Sequence, residues 1–128
     1  MIASTLVRLS NVLLTLFFIG VPSFAAESLE PEEAANHIGE QATVCGMVAS
    51  SKFATQARGQ PTFLNLGKPY PEHIFTALIW GSDRPAFPYA PESLRGVKIC
   101  VYGTITAFRG KPEIVTTQPS QITRTADR

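Results

Sequence analysis

Five short stretches typical of β-strands follow one another between residues 42 and 117, and glycine or proline residues lie between them. The pattern is clearest at residues 42–51, where apolar side chains recur at every second position, and at residues 97–108. The other stretches are residues 62–66, 75–80 and 112–117. Between the third and the fourth, Pro85, Pro88 and Pro91 exclude a long helix. The sequence therefore predicts an all-β domain of five strands.

A short acidic helix is expected before the first strand. Acidic residues lie in the first turn after Ser28, where they would stabilise a helix, and Pro31 suits a first helical position. Gly39 is a typical helix stop. We therefore expect residues 26–41 to form a helical lead-in, residues 42–122 to form the folded domain and residues 123–128 to form a flexible tail.

The composition fits one folded domain with an uneven charge distribution. Of the 128 residues, 45% are hydrophobic and 16% are charged, which is too apolar for a disordered chain. Residues 26–40 contain five glutamates and no Lys or Arg. Residues 41–128 carry ten of the 11 basic residues and five of the ten acidic ones. This surplus of positive charge permits a polyanionic partner.

The first 25 residues predict a secretory signal peptide. Arg8 precedes an apolar run at residues 12–21, and the run ends at Pro22, shortly before the small residues Ser23 and Ala25. A membrane anchor is the alternative, but it needs about 20 apolar residues, roughly twice the length of this run. We therefore expect cleavage after Ala25, export to the periplasm or the medium, and no membrane span in the mature chain.

The order of the predicted strands is that of the OB-fold, a five-stranded Greek-key barrel, although an SH3-like barrel or a small sandwich would also fit the pattern. Several segments resemble the small bacterial OB-fold proteins of the nucleic-acid-binding type. These segments are Ile38–Gly46, Pro61–Gly67, Tyr70-Pro71, Ile79–Gly81, Gly96–Gly103, Phe108–Ile114 and Pro119–Ile122. The resemblance covers residues 38–122 and implies an OB-fold barrel there. Together with the short N-terminal helix expected from residues 26–41, the predicted fold is a five-stranded Greek-key OB-fold barrel preceded by a helix. The predicted signal peptide distinguishes this chain from the cytoplasmic relatives.

The two cysteines predict a disulfide. Cys45 and Cys100 lie in the first and fourth predicted strands, at positions that alternate with the Val and Ile residues of the core, so both side chains should point outward. OB-fold barrels pair these two strands, and an exported protein meets an oxidising compartment. A reactive thiol or a metal ligand is the alternative, but His37 and His73 do not have the spacing of a zinc site with them. No metal and no cofactor is expected.

The OB-fold resemblance implies that a ligand would contact the second and third strands and the loops after the first and fourth. Residues there that carry a positive charge, an aromatic ring or an amide are Lys52, Phe53, Arg58, Asn65, Lys68, Tyr70, Arg109 and Lys111. Such a mixture suits single-stranded nucleic acid, because cations meet phosphates and rings stack on bases. Phe63, Phe75 and Trp80 are expected in the core.

Catalysis is not expected, because the sequence has neither a G-x-S-x-G nor an H-E-x-x-H motif. Asp83 and Glu113 do not form a recognisable carboxylate cluster. The predicted function is an exported, non-catalytic OB-fold module that binds single-stranded nucleic acid or another oligo-anion. The alternative is a periplasmic structural or interaction domain whose barrel is a scaffold for a protein partner in the cell envelope. The net charge of zero expected for the mature chain favours this alternative.

Overall fold

Six β-strands form one sheet in the computed structural model, which describes residues 12–20 and 27–125. They are β1 (Gln41–Phe53), β2 (Thr62–Leu66), β3 (Phe75–Ile79), β4 (Lys98–Phe108), β5 (Lys111–Val115) and β6 (Ile122–Arg124). The strand order is β1-β2-β3-β5-β4-β6, and β1 also pairs with β4, so that the first five strands form a closed ring. The β3–β5 pair is parallel, and the other pairs are antiparallel. The all-β prediction is confirmed.

Short 3-10 helices lie in the connections of the described chain, at Pro31–His37, Arg84–Ala86, Pro91–Leu94 and Pro119–Gln121. The first of them falls within the predicted lead-in and starts at Pro31. The Glu33 carboxylate accepts a hydrogen bond from the backbone N–H of Glu30 at 3.0 Å. Pro31 and Ala34 are buried, so this helix packs against the ring of strands.

Two predicted boundaries differ from the structure. β1 continues to Phe53 because Lys52 and Phe53 pair with Phe63 and Thr62 of β2, so neither residue lies in the following loop as predicted. At the other end of the domain, Ile122–Arg124 pairs with β4 as a sixth strand that was not predicted. The sheet therefore extends into the segment assigned to a flexible tail, whose residues 126–128 lie outside the described part.

The core fills the inside of the ring with alternate side chains of its strands. Its fully buried members include Val44, Val48, Leu64, Leu66, Phe75, Ile79, Ile99, Val101, Ile105 and Ile114. Phe75 is thus in the core as predicted. Phe63 is only half-buried on the opposite face of β2, and Trp80 is 39% exposed, so the core prediction is wrong for both.

The predicted disulfide is confirmed. Cys45 of β1 and Cys100 of β4 are direct cross-strand partners, and a disulfide joins them. Both are half-buried, whereas their neighbours Val44 and Val101 are fully buried. The alternation of apolar residues therefore placed both sulfurs on the outer face of the pair that closes the ring.

Part of the predicted signal peptide is described by the structure. Residues 12–20 have no regular secondary structure, and large side chains such as Phe17 and Phe18 are exposed. The predicted cleavage site after Ala25 lies outside the described residues. Within residues 12–20 and 27–125, no helix has the length and apolar character needed to cross a membrane.

Candidate functional site

A cleft of about 650 Å³ lies on the outer face of β2 and β3. The end of β1 borders one side of it, and the β4–β5 hairpin borders the other. Phe63 and Asn65 reach this face because they alternate with Thr62, Leu64 and Leu66, which point into the core. The cleft therefore draws its walls from all five strands of the ring.

The floor of the cleft is a chain of polar side chains from three adjacent strands. Thr76 Oγ1 donates a hydrogen bond to Asn65 Oδ1 at 2.8 Å, and Asn65 Nδ2 donates to Ser50 Oγ at 3.0 Å. Ser50 Oγ also accepts the backbone N–H of Tyr70 at 2.9 Å. Asn65 and Thr76 are buried, so these bonds satisfy polar groups that are largely shielded from solvent. These hydrogen bonds hold the side chains of the floor in place and connect the floor to the turn that carries Tyr70.

Positive charge is concentrated around this floor. Lys52 of β1, Arg109 of the hairpin turn and Lys111 of β5 line the cleft, and Glu113 is its acidic residue. Lys111 Nζ donates a hydrogen bond to the backbone carbonyl of Pro71 at 3.2 Å, and the Arg109 guanidinium lies 5.2 Å from the centre of the Phe108 ring. Three cations against one carboxylate give the cleft a positive surplus.

Aromatic rings stand among these cations. Tyr70 is 72% exposed and Phe108 is 57% exposed, while Phe63 is half-buried on the wall. The Tyr70 ring is stacked on the His73 ring, with centroids 5.6 Å apart and an interplanar angle of 21°. Exposed rings of this kind offer flat surfaces on which another ring can stack.

Two titratable groups of the cleft are perturbed. Burial raises the pKa of the Glu113 carboxyl. Burial, and secondly the charge of Lys111, lower the pKa of His73, so its imidazole is mainly neutral at neutral pH. The Nδ1 atom of His73 is buried and has no hydrogen-bond partner among the described residues.

The β4–β5 turn holds Arg109 in a backbone conformation that few non-glycine residues adopt. Arg109 has a φ of 50° and Gly110 a φ of 77°, as a two-residue hairpin turn of the mirror-image type requires. Asparagine is more common than arginine at the first of these positions, because it tolerates left-handed geometry better. The backbone strain at Arg109 therefore destabilises the fold locally, while this conformation places a cation at the mouth of the cleft.

We therefore expect Arg109→Asn to raise the free energy of unfolding by about 0.5–1 kcal/mol, since it relieves part of this cost. Urea unfolding of the two proteins measures the difference. Arg95→Asn is the matched control, because Arg95 is exposed and has a negative φ of −52°. A stability of Arg109→Asn equal to or below that of the wild type would contradict the strain argument.

The structure brings five of the predicted contact residues together in the cleft, namely Lys52, Asn65, Tyr70, Arg109 and Lys111. Arg58 and Lys68 are exposed in the β1–β2 loop and the β2–β3 connection and do not line it. Sequence reasoning missed Ser50, His73 and Thr76. The alternation of faces along β1 and β3 could have indicated that Ser50 and Thr76 face the cleft. No pattern in the sequence indicates that His73 lines it.

Phe53 is also outside the cleft, although it was predicted to contact the ligand. It alternates with Lys52, and the Arg84 guanidinium lies 3.7 Å from the centre of its ring. Arg84 donates to both carboxylate oxygens of Glu92 at 2.6 and 2.7 Å and to Thr62 Oγ1 at 2.9 Å. These hydrogen bonds lower the pKa of the Glu92 carboxyl. Arg84 and Phe53 therefore fasten the β3–β4 connection to the ring, which is a structural role.

A second groove, of about 450 Å³, has a different chemistry. Its described lining contains no charged side chain and includes Gln41, Tyr102 and Gln121. Gln121 Nε2 donates to the Tyr102 carbonyl at 2.9 Å, and its Oε1 accepts the backbone N–H of Thr117 at 2.8 Å. The Gln121 amide is thus hydrogen-bonded within the protein. Because the groove is uncharged, its residues provide control variants for the basic cleft. Among residues 12–20 and 27–125, no three His, Cys, Asp or Glu side chains are grouped as a metal site requires.

No protein-family model and no curated protein matches this chain. Among solved structures, it is similar to a putative aspartyl-tRNA synthetase from Leishmania major Friedlin, with 9% identity and a TM-score of 0.47 over 82% of this chain and 22% of that one. It is also similar to the OBody AM1L10 bound to hen egg-white lysozyme, with 18% identity and a TM-score of 0.46 over 77% of this chain and 93% of that one. With TM-scores below 0.5, these likenesses bear on neither fold family nor function, and the functional conclusion rests on the cleft.

Proposed function

We propose that this domain is an exported OB-fold barrel that binds single-stranded nucleic acid in the cleft over β2 and β3. The strand arrangement supports the fold assignment, because β1 pairs with both β2 and β4 and thereby closes a five-stranded ring. OB-folds are five-stranded Greek-key barrels that bind ligands on the face of the second and third strands, between the loops that follow the first and fourth. The cleft of this protein lies at the corresponding place.

The observation that carries the proposal is the combination of cations and exposed rings around one cleft. Lys52, Arg109 and Lys111 come from three separate elements and line the same cleft as the exposed rings of Tyr70 and Phe108. Each base of a single strand offers a flat face to such a ring, and each phosphate offers a charge to such a cation. A double helix would hide those base faces, so the cleft favours a single strand.

The disulfide supports the part of the proposal that concerns export. Disulfides persist in oxidising compartments and are rare in the cytosol, and here one joins Cys45 to Cys100 in a small domain. The signal-like pattern of residues 1–25 agrees with this. The ligand would then be a nucleic acid met outside the cytoplasm, in the periplasm or the medium.

Titration of a fluorescent single-stranded DNA of about 12 nucleotides, a length within the site size of one OB domain, tests the proposal. We expect binding at low salt, with Arg109→Ala and Lys111→Ala each reducing the slope of log affinity against log salt by about 0.7. Arg58→Ala is the matched control, since Arg58 is an exposed cation outside the cleft, and it should leave the slope unchanged.

The absence of binding at low salt with the disulfide intact would refute the nucleic-acid proposal. The protein-scaffold alternative would then be the one to pursue. Equal effects of Arg58→Ala and Lys111→Ala would show that binding is diffuse and does not use the cleft.

A further inference from the structure

Glu113 continues the polar row that forms the floor of the cleft. Cross-strand partners share a face of a sheet, and the register pairs Asn65 with Thr76, Thr76 with Glu113, and Glu113 with Thr106. Glu113 lines the cleft beside Thr76 and is half-buried. A carboxylate therefore lies at the floor of a cleft that is otherwise surrounded by cations.

The neighbouring hydroxyl groups do not satisfy this carboxylate. The single hydroxyl proton of Thr76 is donated to Asn65 Oδ1, and Thr106 Oγ1 donates to the backbone carbonyl of Glu113 at 3.3 Å. Among the described residues, no side chain donates a hydrogen bond to the Glu113 carboxylate, and no cation forms an ion pair with it. Lys111, the nearest cation along β5, donates to the Pro71 carbonyl.

A half-buried carboxylate that receives no hydrogen bond from the protein favours a ligand group that donates hydrogen bonds. A phosphate has no such donor at neutral pH and would be repelled by the carboxylate. The exocyclic amino groups of cytosine, adenine and guanine are donors, and carboxylates accept from them in nucleic-acid recognition. Thymine and uracil present carbonyl oxygens at the corresponding positions. Their one donor on this edge, the ring N3–H, lies between two such oxygens, so a carboxylate that accepts from it also approaches a carbonyl lone pair.

On the basis of the proposed function, we infer that Glu113 makes the cleft select bases that carry an exocyclic amino group over thymine and uracil. The cations at the rim hold the phosphates, the exposed rings stack on the bases, and Glu113 reads the hydrogen-bonding edge of one base from below. The same carboxylate excludes phosphate from the floor, which fixes the orientation of the strand in the cleft.

Binding of oligo(dC), oligo(dA) and oligo(dT) of equal length to the intact domain tests this inference. The wild type should bind oligo(dC) and oligo(dA) about tenfold more tightly than oligo(dT), the discrimination expected of one good contact to a base edge. Glu113→Gln keeps the shape of the side chain but lets it both donate and accept, so the preference should fall to about twofold or less. Glu32→Gln removes a charge from an exposed site outside the cleft and should preserve the preference.

The ratio of affinities is the diagnostic quantity, because loss of a negative charge raises the affinity for every oligonucleotide. Equal binding of the three oligonucleotides by the wild type, or tighter binding of oligo(dT), would overturn the inference and leave the proposed function intact. An unchanged ratio in Glu113→Gln would assign the preference to another group. No binding of any oligonucleotide would instead refute the proposed function.

Discussion

Reduction of the Cys45–Cys100 disulfide is expected to lower the free energy of unfolding by about 4 kcal/mol. The two cysteines are separated by 55 positions in the sequence. In the chain-entropy model, cross-linking a loop of that length removes conformational entropy from the unfolded state and raises the free energy of that state by about this much. The bond also joins β1 to β4, the pair that closes the ring. Few contacts outside the core of a small domain have an effect of this size.

Urea unfolding of the oxidised and reduced protein measures this difference. The double variant Cys45→Ala with Cys100→Ala is the control, because it has no thiol to reduce and the reductant should leave its unfolding midpoint unchanged. Equal midpoints for the oxidised and reduced wild type would show that the ring closes without help from the cross-link.

Removal of both exposed rings, by Tyr70→Ala combined with Phe108→Ala, is expected to weaken binding of single-stranded DNA by about 2–6 kcal/mol. Each ring that stacks on a base contributes about 1–3 kcal/mol by alanine substitution. The salt slope should change little, because stacking displaces no counterion. Since the rings are 72% and 57% exposed, we expect the double variant to keep its fold.

Tyr102→Ala is the matched control for this double variant, because Tyr102 is 50% exposed on the neutral groove. It should leave the affinity unchanged. A loss in Tyr102→Ala as large as the loss in the double variant would place the ligand on the wrong face. Unchanged affinity in the double variant would show that the bases do not stack on these rings.

Local alternation in the sequence predicted much of this structure. The period of two along residues 42–51 gave the face of Val44 and Val48, and with it the outward direction of Cys45. Because the fourth strand showed the same alternation, the disulfide partner followed. Signals of this kind are local, and a strand whose one face is buried displays them clearly.

The errors arose where long-range pairing decides the structure. The local pattern predicts that the first strand ends before Lys52, yet pairing with β2 extends it to Phe53. A strand of that length puts Lys52 and Phe53 on opposite faces, so they could not both have contacted the ligand. Phe53 is then covered by Arg84, which is distant in sequence. β6 has only three residues and forms through its pairing with β4. No local sequence pattern predicts this pairing.

Only part of the candidate site could be predicted from the sequence, again because long-range strand pairing decides which side chains meet. Charged and aromatic side chains are recognisable as candidate ligand contacts from the sequence, so Tyr70, Arg109 and Lys111 could be predicted. Ser50 and Thr76 are ordinary strand residues until the register aligns them with Asn65 and Glu113. The acceptor role of Glu113 follows only from knowing where the proton of Thr76 goes.

Mapping of backbone amide chemical shifts by NMR, during addition of single-stranded DNA to the oxidised domain, tests the central claim most directly. The account predicts that the shifts which change cluster at the cleft, at Ser50, Tyr70, Thr76 and Glu113. The amides of Gln41, Tyr102 and Gln121, which line the neutral groove, should not change. Changes centred on the neutral groove, or no changes at a DNA concentration in excess of the protein, would contradict it.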